Sequence, residues 1–401
     1  MRELHIVIED LNPYGGMERC TLEVARRLSH RWPVHLHACS LEKGTGSWGR
    51  MTFHRVRGPR RLPGALRHIW FYALTTPRLL SRRLLRRGAR PVIHASGACS
   101  LVSDVIQVHF VQAAWRQTRR RLPPGETMTP RMAAASAPLQ AVLRAYYGAT
   151  LWFDMVTERL TFRRNKVYVA VSHGVARELE RHFGPGLRTH VVHHGVDAGE
   201  FHPVDPSTRA EREALRAEIG VGSGEAVALL VGAWDRKGLD KAIEALALLT
   251  PDERSGTRLL AVGAGARPVF EALAGRLGVG DRVILAPHQK GIARWYRAAD
   301  FLLFPTKYEP FGMVVLEAMA CGLPVVVSRC AGAADLVEDG ASGLLIEDPL
   351  DAREIVSAWR RLLLHPAERE AMGRKARETA SRHTWDRVAE EYAAMLDPFM
   401  A

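Results

Sequence analysis

Two Rossmann-like α/β domains facing a cleft are the fold class this sequence predicts. Three observations carry it. Short apolar runs alternate with helical patterns, as in parallel sheets covered on both faces. The length of 401 residues exceeds what one ordinary hydrophobic core organises. The run 200–209, with Pro203 and Pro206, interrupts the rhythm near mid-chain and reads as a linker. These place an N-terminal domain at 1–199 and a C-terminal domain from 200 onward.

His5–Ile8 opens the first domain as a strand, Met17–Leu28 has helical spacing, and Val34–Cys39 is the next strand. Val92–His94, Val105–Phe110 and Val167–Val171 continue the series. Residues 112–150 are harder to place, and the Pro-rich piece Leu122–Pro138 reads as a loop. The second domain is cleaner. Its strands are Ala226–Gly232, Arg258–Gly263, Arg282–Pro287, Asp300–Pro305, Pro324–Ser328 and Gly343–Ile346, with Leu239–Leu249 the clearest helix between them. Met313–Cys321 forms a further helix, which Gly322 caps and Pro324 keeps from continuing.

Hydrophobic content is 47% and charged content 25%, both ordinary for a soluble globular protein. The opening MRELHIVIEDL mixes charge into its apolar run and reads as a strand, not a signal peptide. No run approaches the ~20 apolar residues that span a bilayer. Five scattered cysteines without a C-x-x-C pair fit reduced thiols in a cytoplasmic protein, and no metal-ligand spacing stands out. The net charge of +13 sits entirely in residues 43–103, which hold 13 Lys or Arg and no acid. Within them, 60–90 interleaves arginines with Leu, Ile, Trp, Phe and Tyr. Such a stretch suits an anionic membrane surface; a solvated helical face and nucleic-acid binding are the competing readings.

The chemistry concentrates in 307–330. Glu309 and Glu317 stand eight apart, one in the loop after a strand and the other on the following helix. Open α/β sheets bind ligands at such strand ends, and helix N-termini favour phosphate. Arg236 and Lys237 precede the helix at 239, a setting for an anion site. Gly15 and Gly16, in Asn12–Arg19 after the first strand, allow close backbone approach. His109 ends the run Asp104–Phe110, where a lone histidine is either structural or functional. Gly263-Ala264-Gly265 lacks the third glycine of a dinucleotide fingerprint, since Pro268 stands there, and reads as a structural turn.

Glu309 and Glu317, in this strand–loop–helix frame, form an E-x7-E signature that resembles the retaining glycosyltransferases of family 4, whose fold is called GT-B. The Gly15-Gly16 loop and the run Gly232–Lys241 are similar to those of bacterial lipopolysaccharide core glucosyltransferases within it. The resemblance implies a nucleotide-sugar donor (UDP-sugar favoured, GDP-sugar possible), bound by the C-terminal domain at 200–382. It implies a glycan or glycolipid acceptor on the N-terminal domain, with 383–401 crossing back to that domain. It also implies a role for each site residue. Glu309 would meet the donor sugar and Glu317 the ribose; Arg236, Lys237, Gly15 and Gly16 would face the diphosphate. Phe311, Gly312 and Met313 would offer backbone N–H groups, Pro287 would border the base, and His109 would orient the sugar.

His194 replaces an asparagine in the family's N-G-V-D element, and Asp335 stands where a glutamate is common. Asp197 reads as structural. With no Asp-x-Asp in the chain, fixed cations rather than a metal are expected to stabilise the leaving group, so no cofactor is expected. Lys237→Ala is then expected to cut turnover far more than stability. The expected location is cytoplasmic, peripheral on the inner face of the cytoplasmic membrane, with no nucleic-acid partner. A sugar-nucleotide epimerase, a glycan phosphorylase and a non-catalytic binding partner are the alternatives, and no lysine stands out for the phosphorylase's pyridoxal phosphate.

Overall fold

The computed structural model describes residues 2–11, 15–41, 49–57, 64–85, 89–121 and 136–401. They fall into two units that part between Gly195 and Val196. The first runs to Arg121, resumes through Gly195 and regains Trp385–Ala401 at its end; the second holds Val196–Thr384.

The first unit is built on seven parallel strands: β1 (Leu4–Val7), β2 (Val34–Ala38), β3 (Met51–Arg55), β4 (Val92–Ser96), β5 (Val105–Val108), β6 (Val167–Ala170) and β7 (Arg188–Val191). They lie in the order β3-β2-β1-β4-β5-β6-β7, so the order reverses between β1 and β4. Central strands such as β4 and β6 are buried along their whole length, which is why they read as continuous apolar runs. The edge strands β3 and β7 escaped the sequence reading because Met-Thr-Phe-His-Arg and Arg-Thr-His-Val are half-exposed and carry few aliphatics. The helix Trp385–Met400 buries Trp385, Tyr392 and Leu396, and it packs on the helix Gly16–Arg31.

Two long helices replace what the sequence left open. Gly64–Leu85 accounts for most of the basic stretch 60–90; residues 60–63 and 86–88 lie outside the described ones. It buries Phe71 and Leu79 against Val7, Ile93 and Ala95. Ala137–Thr161 covers the part of 112–150 that resisted placement, together with Gln112–Arg121. Both long helices expose large apolar residues, which blurs the amphipathic period: Trp70 and Leu84 on the first, Val142 and Trp152 on the second. The proposed loop Leu122–Pro138 lies outside the described residues through 135, and Ala137 already begins the helix. Among the described residues no helix is long and apolar enough to cross a membrane.

One face of the β1–β3 edge carries four imidazoles. His5 pairs in register with His35, and His37 with His54, so all four rings share that face. The rings stack at centroid distances of 4.7–5.2 Å. Burial pulls His5 down to about 4 and His37 to about 2. Neighbouring histidines and Arg82, on the helix Gly64–Leu85, press in the same direction.

The second unit has six parallel strands: β8 (Ala226–Ala233), β9 (Thr257–Ala264), β10 (Val283–Pro287), β11 (Phe301–Phe304), β12 (Val325–Ser328) and β13 (Gly343–Ile346). Their order is β10-β9-β8-β11-β12-β13, with the reversal between β8 and β11. Its core joins Leu230, Leu259 and Leu303 to Trp359 and Ile243 of the covering helices. Gly263 lies so close to β8 that a Cβ there would meet the Gly232 carbonyl at 1.9 Å. Gly263 and Ala264 thus end β9 in close packing on β8, where the sequence reading expects a structural turn.

Candidate active site

The reversal between β8 and β11 opens a crevice at the carboxyl ends of those strands, the usual ligand position in open α/β sheets. β8 leads into a single helical turn, Trp234–Lys237, and then into the helix Leu239–Ala247. Arg236 and Lys237 thus close a short turn instead of opening the longer helix. Gly238 joins the two at φ +79°, and a Cβ there would lie 2.2 Å from the Pro305 carbonyl oxygen, so only glycine fits. β11 leads into the loop that carries Glu309 and on to the eight-residue helix Met313–Ala320, whose N-cap Gly312 has φ +97°.

Backbone and side chains lock these two loops together. The Lys307 N–H and the Thr306 hydroxyl both donate to the Arg236 carbonyl at 3.2 Å. The Ser328 hydroxyl donates to the Thr306 carbonyl at 2.6 Å. Lys307 Nζ reaches both carboxylate oxygens of Asp240, at 3.0 and 3.1 Å. Farther along, Gly332 N–H donates to the Glu309 carbonyl (2.9 Å) and Ala333 N–H to that of Phe311 (2.7 Å).

Three of the expected site residues meet here. Lys237 Nζ donates to Glu309 Oε2 and lies 4.6 Å above the Phe304 ring. Arg236 Nη2 stands 3.9 Å from the same oxygen, with 43% of its side chain exposed. Burial pulls the Lys237 ammonium below its usual range, and Glu309 opposes that shift without cancelling it. Arg236 is consequently the more accessible cation. Glu317 is buried on the following helix, where the Tyr296 hydroxyl donates to its Oε2 at 2.8 Å. Phe311 is buried, and Met313 begins the helix. Pro287 ends β10, two strands from β8, with its carbonyl accepting from Gln289 Nε2 at 3.1 Å.

The first unit holds the remaining expected residues at the carboxyl ends of its own strands. Gly15 and Gly16 begin the helix after β1, where Arg19 N–H donates to the Gly15 carbonyl at 2.8 Å; residues 12–14 lie outside the described ones. His109 follows β5 directly and is buried, its ring centroid 5.3 Å from that of His194. Burial holds it neutral, with pKa well below the usual value, and His194 and His94 add to the effect. A neutral imidazole orients a ligand by hydrogen bonding, not by charge. In the second unit, Asp197 accepts from the Gly199 and Glu200 N–H groups at 2.8 and 3.3 Å, a local turn role.

Comparison with known proteins agrees with this geometry along nearly the whole chain. Residues 14–200 match the family described as Glycosyltransferase Family 4, and 211–379 match Glycosyl transferases group 1. The chain belongs to glycosyltransferase family 4. This family 4 member is 36% identical over 256 residues to a D-inositol 3-phosphate glycosyltransferase of Xylanimonas cellulosilytica, an alignment covering 61% of the chain and 59% of the relative. A Geodermatophilus obscurus protein of the same name is 37% identical over 55% of the chain and 49% of its own length. The matched part thus spans about half to three-fifths of these relatives.

Among solved structures, WaaG, a glycosyltransferase involved in lipopolysaccharide biosynthesis, superposes with a TM-score of 0.76 at 22% identity, over 98% of this chain and 99% of its own. Anabaena HepE in complex with UDP and glucose superposes at 0.70 and 18% identity, over 99% of this chain and all of its own. These structures share the two-domain GT-B fold. Two contributors to the site went unread in the sequence. Phe304, under Lys237, was taken for a plain strand residue, and Tyr296 lies 21 residues before Glu317 with no motif to mark it.

Proposed function

We propose that this chain transfers a glycosyl group, with retention, from a nucleotide sugar to an acceptor hydroxyl without a metal ion. The observation that carries this reading is the convergence of Arg236, Lys237 and Glu309 at the strand-order reversal of the second unit. Arg236 and the N-terminus of the helix Met313–Ala320 would hold the diphosphate, Glu309 the sugar hydroxyls and Glu317 the ribose. The acceptor oxygen attacks the anomeric carbon on the face the diphosphate leaves. The bond from that carbon to the phosphate oxygen breaks, and the departing phosphate takes the acceptor's proton. Neutral His109 would orient the sugar. A UDP-sugar is the favoured donor.

The acceptor has two readings. The likeness to D-inositol 3-phosphate glycosyltransferases favours an inositol phosphate. The exposed Leu66, Trp70 and Leu84 beside the arginines of Gly64–Leu85 favour a lipid-linked glycan reached at an anionic membrane. Titration calorimetry with UDP-, GDP-, ADP- and dTDP-sugars in metal-free buffer tests the donor. One class should bind, and Arg236→Gln, a change at a half-exposed side chain, should weaken it without unfolding the protein. Failure of all four to bind would overturn the reading. Inositol phosphate and lipid-linked acceptors then compete in a transfer assay. Binding to phosphatidylserine vesicles that fades with added salt would support the membrane reading, and binding to neutral vesicles alone would sink it.

A further inference from the structure

The imidazole ladder of the first sheet offers a site that the transfer chemistry does not use. Glu3 precedes β1, and His5 and His35 are the second residues of β1 and β2, so all three sit toward the amino ends of the strands. The glycine loop and His109 follow the carboxyl ends, at the opposite edge of the sheet. Glu3 Oε2 lies 3.5 Å from His5 Nε2 and 3.2 Å from His35 Nε2, and the three ligand atoms fall within 4.8 Å of one another. Ligands about 2.0–2.1 Å from a tetrahedral ion are ~3.3–3.4 Å apart, so the two distances from Glu3 match a bound ion.

The next layer is equally suited. His5 Nδ1 is 3.0 Å from His37 Nε2, and His35 Nδ1 is 2.8 Å from His54 Nε2. With each Nδ1–H donating outward, both Nε2 lone pairs point back at the Glu3 carboxylate. Metal-binding histidines use this second hydrogen bond to fix tautomer and ring orientation. Buried His5 Nε2 meets no partner at ordinary hydrogen-bond length. In that tautomer three electron-pair donors face one point, an arrangement that a bound cation would stabilise. Arg82, on the helix packed over this face, opposes a cation, and the Glu3 carboxylate beside His5 works against it in part.

We propose that Glu3, His5 and His35 bind a divalent transition metal of the zinc class, with His37 and His54 as the supporting layer, tying β1 to β2. Two imidazoles and one carboxylate suit zinc or cobalt, with water at the remaining position. The opposite tautomer, in which His5 Nε2–H donates to Glu3, is the metal-free alternative.

The test uses the full chain after chelator treatment. Zinc should raise Tm in a saturable way, by about 5 °C or more at a hundredfold excess over Kd. Cobalt should develop the visible absorption of a four-coordinate nitrogen–oxygen site, saturating at one equivalent. Both signals should vanish in His35→Gln and in Glu3→Gln, and affinity should fall by about 10–100-fold in His54→Gln. His173→Gln, an exposed histidine outside the ladder, should change neither. If His35→Gln fails to fold, Glu3→Gln reads the same site. A wild type with no saturable response, or a response that survives Glu3→Gln, would overturn the proposal; the latter would mark scattered binding to surface imidazoles.

Discussion

The Lys237–Glu309 pair should couple stability to catalysis, and a double-mutant cycle can separate the two. Only 7% of the lysine and 14% of the glutamate side chain is exposed, so each charge depends on the other. Removing one partner of a buried pair costs about 3–5 kcal/mol, because the survivor is left unpaired. Arg236, at 3.9 Å and half in solvent, relieves part of that for Glu309. Lys237→Met should therefore lose about 2–4 kcal/mol, and Glu309→Gln a similar amount. The double variant keeps shape and loses both charges, so it should fall within about 1 kcal/mol of wild type.

Urea unfolding midpoints read the stabilities, and donor turnover reads the chemistry. Turnover should drop by about 10²–10³ in both single variants and stay low in the double one, as for loss of a preorganised electrostatic contact. A coupling energy under about 0.5 kcal/mol would mean that the pair is not the buried unit described here. Near-normal turnover with Lys237 replaced would refute its place in the site. The sequence-based expectation that Lys237→Ala cuts turnover far more than stability is revised by this burial: both properties should suffer comparably.

Three further outcomes follow from other contacts. Burial raises Glu158 from the usual carboxylate range to about 8, while its Oε1 accepts from the Gln112 N–H at 2.8 Å. The folded state then holds a proton that the unfolded chain releases, so stability should decline from about pH 4.5 to pH 8, by up to ~1.4 kcal/mol per unit. Glu158→Gln should flatten that slope in thermal melts across pH, and an unchanged slope would exclude Glu158 as its source. Gly238→Ala should cost about 2 kcal/mol or more from left-handed strain and the clash with Pro305, and should weaken donor binding; a neutral effect on both would contradict the turn geometry. Tyr296→Phe removes the hydroxyl donor to a buried Glu317 oxygen, so it should cost about 1–3 kcal/mol of stability and alter nucleotide affinity several-fold in calorimetry, whereas unchanged affinity would separate Glu317 from the ribose.

The second sheet was legible in sequence because its strands are buried on both faces and bounded by turns, as in Phe301–Phe304 and Val325–Val327. The edge strands β3 and β7 were not, since half-exposed edges lack that run. Gly64–Leu85 showed its basic surface but hid its packing: Phe71 and Leu79 are spaced for the core, while Trp70 and Leu80 beside them face outward. At the site, the glutamate spacing and the Arg-Lys pair were visible as motifs. Their ion pair was not, because β8 and β11 become neighbours only when the strand order reverses. The ladder of His5, His35, His37 and His54 was invisible for the same reason: register across three strands, not spacing along the chain, brings the rings together.

Trp385–Met400 gives the first unit its Trp385, Tyr392 and Leu396, yet the ribosome makes this helix only after all of Val196–Thr384. The second unit is complete as soon as Thr384 leaves the exit tunnel. The first must wait, with the groove beside Gly16–Arg31 uncovered, until its closing segment emerges. Vectorial synthesis therefore inverts the order of maturation: the half made first finishes last. A stalled or prematurely terminated chain would carry a finished second unit beside an unfinished first one, a species that proteases and chaperones can distinguish from the mature protein.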